Sequence, residues 1–220
     1  MIGVYVTIPV TCFRKGLARE YLETEPLPPP STCYGFLLSL VGETDRYRHI
    51  GCRIAPVLVG EPQKSTILRT VWRTKNKKLH MGAGNNRTPA QQEILTGVKL
   101  VLWVDSLDER KSARYLEQRV KSALTHPTTL EERFGGLSLG ESTHLVDEVK
   151  LFSGSAEETG LIFVCANRGR LTLPVWVDHV GSQGTRYVTG NLLTAPLTAP
   201  DGTNLPKIEP PEQSSSSKVR

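Results

Sequence analysis

The side chains best suited to chemistry in this sequence are concentrated in one basic segment. Between positions 64 and 87 there is no Asp or Glu, but there are seven cations: Lys64, Arg69, Arg73, Lys75, Lys77, Lys78 and Arg87. The chain has a formal net charge of +5, so this segment leaves the remaining residues at −2. A concentrated positive segment on a nearly neutral body is typical of a protein that binds a polyanion, although a solvated surface hairpin is the alternative.

Three residues of this segment, together with Tyr34 upstream, suggest how the protein would act on RNA. Trp72 lies between two arginines and can stack on a base. Tyr34, Lys78 and His80 can in principle cleave RNA, because Tyr or His activates a 2′-hydroxyl while Lys stabilises the phosphorane, without a metal. RNA-binding hairpins carry such residues without cleaving RNA, so binding is favoured and cleavage stays open as the alternative.

A second candidate is the glycine loop at 133–142, RFGGLSLGES. It resembles the phosphate-binding pattern GxxxxGK[ST], but Glu141 replaces the lysine that would reach the β and γ phosphates, so nucleotide hydrolysis is not expected. Its backbone N–H groups can still bind phosphates of a nucleic acid, although a flexible turn is the plain alternative. The candidate RNA contacts in this loop are Arg133, Gly135, Gly136, Ser138, Gly140 and Ser142.

Other sites are not expected. Ser142, His144 and Asp147 are the residue types of a hydrolytic triad, but only Ser142 and His144, which are two apart, share a face of the strand, so the three cannot form the relay alone. The histidines and the four cysteines lack metal-ligand spacing, so neither a metal nor another cofactor is predicted. Widely spaced cysteines favour reduced thiols in a cytoplasmic protein, and the lack of an 18-residue apolar run predicts no membrane span.

A proline-stiffened segment precedes the first helix. The prolines at 28–30 hold the preceding residues extended, and the apolar stretch that follows predicts a buried helix at about 32–41. Ser31 or Thr32 is expected to cap this helix, and Gly42 to end it. The stiffened segment orients a basic loop upstream, whose candidate RNA contacts are Arg14, Lys15 and Arg19.

The order of the elements predicts an α+β fold. The alternation in MIGVYVTIPV indicates a first strand, and further strands are expected at about 48–59, 97–105 and 143–151. Ser106 and Glu109 form a capping box that predicts the start of a second helix. This order is the ferredoxin-like β-α-β-β-α-β arrangement of RNA-recognition modules, with both helices on one face of the sheet.

Three regions are expected along the chain. Residues 1–152 form the ferredoxin-like domain, and the basic segment projects from it as an inserted hairpin at about 60–96. Residues 153–199 are predicted to form a small β appendage. The Pro- and Ser-rich residues 200–220 are predicted to remain a flexible tail.

With these features in this order, the chain resembles family five of the CRISPR-associated (Cas) proteins, a RAMP-superfamily subunit of type I Cascade complexes. The most specific match, PLPPPSTCYGFLLSLVGE, is similar to the family's proline pair and apolar helix ending in glycine. Phe13 and Arg14 match the FR after the first strand, and GGLSLGESTHLVDEV resembles the glycine-rich loop of RAMP proteins. The similarity covers about residues 1–152, and the short form with SLGES suggests a type I-B or allied system.

The resemblance implies a non-catalytic subunit that binds and caps the 5′ handle of the CRISPR RNA (crRNA) and nucleates assembly of Cascade for antiviral DNA targeting. The implied partners are crRNA, backbone subunits of family seven and the large subunit of family eight, with target DNA in the assembled complex and no membrane. The 64–90 insertion would be a thumb that kinks the RNA and contacts the neighbouring backbone subunit. One variant subfamily cleaves repeat RNA with Tyr and an adjacent Lys-His pair. Here Leu79 separates Lys78 from His80, so a metal-independent endoribonuclease is the alternative.

Overall fold

Most of the chain belongs to one β-sheet with two helices. The computed structural model describes residues 1–16, 21–72, 75–110, 113–126, 135–180 and 183–211. The strands are β1 (Ile2–Thr11), β2 (Tyr21–Leu22), β3 (Arg53–Val59), β4 (Gln63–Trp72), β5 (Arg87–Asp105), β6 (Glu148–Phe152), β7 (Ser155–Cys165), β8 (Leu171–Trp176) and β9 (Arg186–Leu197), and the helices are α1 (Pro30–Leu40) and α2 (Leu116–Thr125). The expected α+β class is confirmed. In this described part, no helix is long and apolar enough to cross a membrane.

The centre of the sheet is β5, a strand of 19 residues. The strand order is β6-β1-β5-β3-β7-β9-β8, and each neighbouring pair is antiparallel. The second half of β5 pairs with β1 and β3, whereas its first half pairs with β4 in antiparallel and with the short β2 in parallel orientation. One strand therefore belongs both to the body of the protein and to the basic hairpin, which we define as residues 63–96.

Two apolar layers lie on opposite faces of the central strands. Val4 and Val6 of β1 point toward α1 and α2 and belong to the larger cluster. Val57 and Trp103 point the other way and pack with Leu205. This separation follows from the period of two along each strand, and it places both helices on one face, as predicted.

Helix α1 starts slightly earlier than predicted. Its N-cap is Pro29, and no side chain caps it, so neither Ser31 nor Thr32 has the expected role. Pro30 in the first turn lacks an N–H and so needs no cap there. The end is as predicted: Gly42 has a φ of 65°.

Helix α2 begins at Leu116 and not at Ser106, as the capping pattern predicted. Both pattern residues nevertheless bind its first turn. The Ser106 hydroxyl accepts a hydrogen bond from Glu117 N at 3.2 Å, and the Glu109 carboxylate accepts from Leu116 N at 3.0 Å. Glu109 also contacts Nδ1 of the buried His49 at 2.6 Å. The cap therefore acts across an intervening loop, which a local pattern does not reveal.

The basic segment forms an extended hairpin, as predicted. Its register runs from Gln63 opposite Thr96 to Trp72 opposite Arg87, and β4 is exposed along almost its whole length. Strands β3 and β4 both pair with β5, but residues 60–62 lie opposite only 97–98. The connection from β3 to β4 therefore has one residue more than the stretch of β5 opposite it, and Gly60 and Gly97 there have φ values of 72° and 70°.

The strand boundaries differ from those expected at three places. The strand predicted at 48–59 begins at Arg53, because the chain turns through 46–51. The strand predicted at 97–105 is the second half of β5. The strand predicted at 143–151 begins at Glu148, since residues up to 146 form a turn of the glycine loop.

The C-terminal third is part of the same sheet. Strands β7, β8 and β9 lie in the region 153–199 that was expected to form a small β appendage, and they extend the main sheet through the pairing of Val57 with Ile162. Residues 200–211 are not a free tail either. Ile208 is fully buried, and Gly51 N donates to its carbonyl at 2.9 Å. Leu205 and Ile208 are buried, although the composition of this segment is mostly polar and predicted no burial. Residues 212–220 lie outside the described part.

Candidate nucleic-acid interface

The end of β1 is bound to the glycine loop. The Thr11 hydroxyl donates to the Leu139 carbonyl at 2.7 Å, and Leu139 is fully buried. Gly140 has a φ of 111°, and a Cβ atom there would lie 2.4 Å from the Thr11 hydroxyl oxygen. Glycine is therefore required at 140 both by backbone conformation and by this close approach.

His144 also joins the end of β1 to the glycine loop. Its Nδ1 accepts hydrogen bonds from Cys12 N at 3.2 Å and from Glu141 N at 3.1 Å. An imidazole that accepts at Nδ1 carries its proton on Nε2 and is neutral. Burial lowers the pKa of His144, and Arg69 lowers it further, against an opposing effect of Glu141. His144 thus positions the loop through its ring nitrogen.

The glycine loop also contacts one face of the hairpin base. The Glu141 carboxylate lies 2.8 Å from the Arg69 guanidinium and accepts from Gln92 Nε2 at 3.0 Å, while Arg69 also donates to the Gln92 amide oxygen. Burial alone would raise the pKa of Glu141, but Arg69 lowers it, so the carboxylate is ionised. The residue that replaces the lysine of the phosphate-binding pattern therefore neutralises one of the predicted RNA-binding arginines.

The opposite face of the hairpin base is bound to β2 and to Thr24, which follows it. Glu93 accepts hydrogen bonds from Thr24 N at 3.0 Å and from the Tyr21 hydroxyl at 3.2 Å, and it pairs with Lys64 at 2.9 Å. The bond from Thr24 N is the main cause of the lowered pKa of Glu93, and Lys64 adds to it. Because side chains alternate along β5, Glu93 points away from Gln92, and the hairpin is fixed on both faces.

The β1–β2 connection presents a basic side chain beside this base. Phe13 is buried, and its N–H donates to the Thr24 hydroxyl at 2.9 Å, which leaves the neighbouring Arg14 exposed. Lys15 pairs with Glu23 at 3.3 Å. Arg19 lies outside the described residues. Of the three basic residues predicted here, Arg14 is thus the one described cation without an acidic partner in the described part.

The hairpin tip, residues 75–87, is organised around Asn86. This side chain is fully buried, and its amide oxygen accepts from Lys75 N and Asn76 N at 2.8 Å each. Its amide nitrogen donates to the carbonyls of Asn76 and Leu79 at 3.0 Å and of His80 at 3.2 Å. One side chain therefore supplies both the acceptor and the donors that a long turn would otherwise take from water.

The tip carries cations that are not neutralised. Lys75, Lys77, Lys78 and Arg87 are exposed, and none forms an ion pair with any residue that the structure describes. Lys75, Lys77 and Arg87 line a shallow hollow of about 740 Å³. Arg73 lies outside the described residues. The tip is therefore the main positive surface of the hairpin.

Trp72 lies at the end of β4 with one ring face supported. It is 62% exposed, while Trp103 and Trp176 are 4% and 3% exposed. Gly82 packs so closely that a Cβ atom there would lie 2.9 Å from the Trp72 ring. The indole is thus held in place by the tip while much of its surface is open to a ligand.

The other predicted RNA contacts of the glycine loop differ in their exposure. Gly135, Gly136 and Ser142 are exposed, whereas Ser138 is half-buried and forms a β-bridge with Leu145. Arg133 lies outside the described residues.

The residues of the alternative cleavage site are not brought together. Tyr34 is 3% exposed in the core, where its hydroxyl donates to the Arg46 carbonyl at 2.8 Å. Burial raises the pKa of Tyr34 well above its ordinary value. Helix α1, which carries it, packs on α2, β3 and β8, whereas Lys78 and His80 lie on the exposed tip of the hairpin. In the described part, no group of three His, Cys, Asp or Glu could hold a metal ion.

Sequence reasoning missed the residues that fix the interface. Thr11, Gln92, Glu93 and His144 act through partners far away in the sequence, and no local pattern indicated them. Asn86 carried one weak signal: two consecutive asparagines within a glycine-containing turn, where asparagine often bonds to nearby backbone.

Comparison with known proteins places these features in context. No family model matches the chain. The chain is 50% identical over 209 residues to "CRISPR-associated protein Cas5" of Myxococcus xanthus (strain DK1622), covering 94% of this chain and 97% of that protein. A solved chain from a "CRISPR RNA-guided surveillance complex" has a similar fold, with a TM-score of 0.56, 14% identity, and coverage of 92% of this chain and 95% of that one.

Proposed function

Because the chain belongs to the Cas5 family of CRISPR-associated proteins, we propose that it is a non-catalytic subunit of a type I Cascade surveillance complex. It binds the 5′ handle of the crRNA and nucleates assembly with the backbone subunits of family seven and the large subunit of family eight. The observation that carries this proposal is the convergence of the β1–β2 connection, the hairpin base and the glycine loop at one place. Such an interface holds a single RNA strand in one orientation.

We also infer that the body is the ferredoxin-like domain of RAMP proteins. The elements follow one another as β1-α1-β3-β5-α2-β6, and their strands lie in the order β6-β1-β5-β3. This is the order expected when two β-α-β units interleave in an antiparallel sheet. The basic hairpin is then an insertion between the second and third strands of the domain.

The charges support a path for the RNA from the tip to the hairpin base. Lys75, Lys77 and Arg87 at the tip have no acidic partner in the described part and are suited to phosphates. Arg14 lies nearer the base, because its strand bridge is with Thr24, which binds Glu93, and we expect it to contact the handle together with the exposed Gly135 and Gly136. Target DNA is engaged only in the assembled complex.

The proposal assigns no cleavage to this chain. A general base must come within about 3 Å of the 2′-hydroxyl that it deprotonates, directly or through one water. The Tyr34 hydroxyl is already bonded to a backbone carbonyl in the core, so it is not available to RNA. The metal-independent endoribonuclease remains the alternative that the experiment below addresses.

Binding and cleavage are measured on the same preparation. We expect the purified chain to bind crRNA in a fluorescence anisotropy assay and to leave repeat RNA uncut in EDTA. Arg14→Ala weakens binding and complex assembly, whereas Arg168→Ala, on an exposed turn between β7 and β8, does neither. If the parent chain cuts repeat RNA and the His80→Ala or Tyr34→Phe variant does not, the endoribonuclease is established. Equal crRNA affinity of the Arg14→Ala and Arg168→Ala variants would mean that the RNA does not bind at Arg14.

A further inference from the structure

A second groove lies at the far end of β5 from the hairpin tip. Arg87 begins the strand at the tip and Asp105 ends it 18 residues later, which corresponds to about 60 Å. The groove has a volume of about 950 Å³. It lies between the chain turn at 46–51, residues 177–180 and 184–186, and the C-terminal segment 207–211. No residue of the candidate nucleic-acid interface lines it.

The floor of this groove is aromatic. Trp176 is 3% exposed, and the Arg46 guanidinium stacks 3.8 Å from the centre of its ring. Arg46 is fixed there because it also donates to the Val177 carbonyl at 2.7 Å. The Tyr47 ring packs 5.1 Å from Trp176, yet Tyr47 remains 53% exposed. The groove therefore presents an exposed tyrosine ring beside an arginine that is held in place.

The carboxylates around the groove already have partners. Asp108 pairs with Arg53 at 2.8 Å, and Glu209 pairs with Lys207 at 2.6 Å. Asp178 accepts hydrogen bonds from Val180 N at 3.0 Å and Gly184 N at 3.1 Å, which close its own turn.

Two arginines of the groove are left without such partners. Arg110 and Arg186 are exposed, and neither pairs with an acid among the residues that the structure describes. The groove thus offers guanidinium groups beside an aromatic surface, and the carboxylates that line it are bonded to other groups.

We propose that this groove docks an acidic segment of a partner protein, with carboxylates on Arg110 and Arg186 and an apolar side chain on Tyr47. Guanidinium groups bind carboxylates through two parallel hydrogen bonds, and arginine and tyrosine are enriched in protein interfaces. The proposal rests on the proposed function, because the partner is another protein subunit of the same complex.

Two features favour a protein over a nucleic acid here. Asp108, Asp178 and Glu209 line the groove together with its arginines, so its charge is mixed, whereas surfaces that bind nucleic acid are strongly positive. One wall consists of Pro210 and Pro211, which lack N–H groups. The segment is therefore recognised through its side chains and not by addition of a strand.

The test compares two charge-reversal variants of the full chain. Arg110→Glu with Arg186→Glu alters the groove, and Arg168→Glu with Arg170→Glu makes the same charge change on the exposed turn between β7 and β8. Each is titrated by calorimetry against the separately purified backbone and large subunits of the same system, and against crRNA. Circular dichroism confirms that both variants are folded.

We expect the groove variant to bind one of the two protein subunits about tenfold or more weakly, because like charges then face each other. Its affinity for crRNA stays unchanged, and the control variant behaves as the parent chain. Unchanged affinity for both protein subunits would overturn the proposal, and so would a selective loss of crRNA affinity, which would make the groove a nucleic-acid site. Failure of the parent chain to bind crRNA would instead contradict the proposed function, so the two failures are distinguishable.

Discussion

The Arg69 guanidinium lies 2.8 Å from the Glu141 carboxylate, and this ion pair joins the hairpin base to the glycine loop. The two residues are 72 positions apart in the chain. Arg69 is therefore used for internal structure, although its position in the basic segment made it a candidate for phosphate binding. It follows that the charge available to RNA on the hairpin is concentrated further out, at the tip.

The first prediction concerns this distribution of charge. Each phosphate contact on a single strand contributes about −0.7 to the slope of log affinity against log salt. Replacing Lys75, Lys77 and Arg87 with alanine therefore flattens the slope for crRNA by about 2, measured by anisotropy across a salt series. Arg69→Ala is the control within the same hairpin. It changes the slope by less than the replacement of a single tip cation does, because Glu141 already neutralises Arg69. If Arg69→Ala changed the slope as much as the replacement of a tip cation, the charge that binds RNA would not be concentrated at the tip.

The second prediction concerns Trp72. Because Trp103 and Trp176 are buried, a change in tryptophan emission on addition of crRNA reports Trp72. We expect quenching when a base stacks on the exposed indole. Trp72→Ala weakens binding by about 1–3 kcal/mol, the usual value of one base on an aromatic ring, whereas Trp72→Phe retains part of it. Emission that does not respond to bound RNA would exclude the stacking role.

The third prediction concerns Asn86 and the tip. Asn86→Ala removes a buried side chain that bonds to five backbone groups of the tip. We expect faster hydrogen exchange at Lys75 N and Asn76 N, and weaker crRNA binding, while the amides of β1 remain protected because the tip opens locally. Asn85→Ala, at the exposed neighbour, leaves exchange at the tip unchanged. Uniform loss of protection across the body would mean that the tip is not an independent unit.

The fourth prediction concerns acid stability. Glu43 lies 2.8 Å from Arg48 and also contacts Arg119 of α2. Burial alone would raise the pKa of Glu43, but hydrogen bonds from Arg48, Asp45 N and Arg119 lower it from 4.5 to about 2. Since the folded pKa lies below the unfolded one, ionised Glu43 stabilises the fold above pH 4.5, and this contribution is lost as the pH falls toward 2.

Urea unfolding between pH 5 and pH 2 measures this effect. Glu43→Gln lowers the free energy of unfolding at the upper end of that range and flattens its dependence on pH. Glu61→Gln is the matched control, because Glu61 is exposed and has no ion pair within the described ranges. Identical pH profiles for Glu43→Gln and the parent chain would rule out this role of Glu43.

Local patterns predicted those features that depend on neighbouring residues. Alternation along β1 placed Val4, Val6, Ile8 and Val10 on one face, and the first three are at most 1% exposed, whereas Val10 near the end of the strand is 40% exposed. The run of cations and β-branched residues identified the basic hairpin. Gly42 ended α1 as expected because a left-handed residue at a helix end is a local requirement.

Long-range contacts explain what the sequence could not predict. The bond between Thr11 and the Leu139 carbonyl spans 128 positions, and it determines why position 140 must be glycine. The start of α2 was misplaced because Glu109 caps Leu116 from seven residues away. Likewise, Leu205 and Ile208 are isolated apolar residues in a polar segment, and only the surface that they cover shows that this segment is ordered.

The connection between β3 and β4 bears on the direction of the hairpin. The hairpin and the body share β5, so they are joined through one continuous strand. Gly60 and Gly97 lie where the body half and the hairpin half of this ribbon meet, and their positive φ values would strain any residue with a side chain. The direction in which the basic hairpin leaves the body therefore depends on two residues that carry neither charge nor side chain.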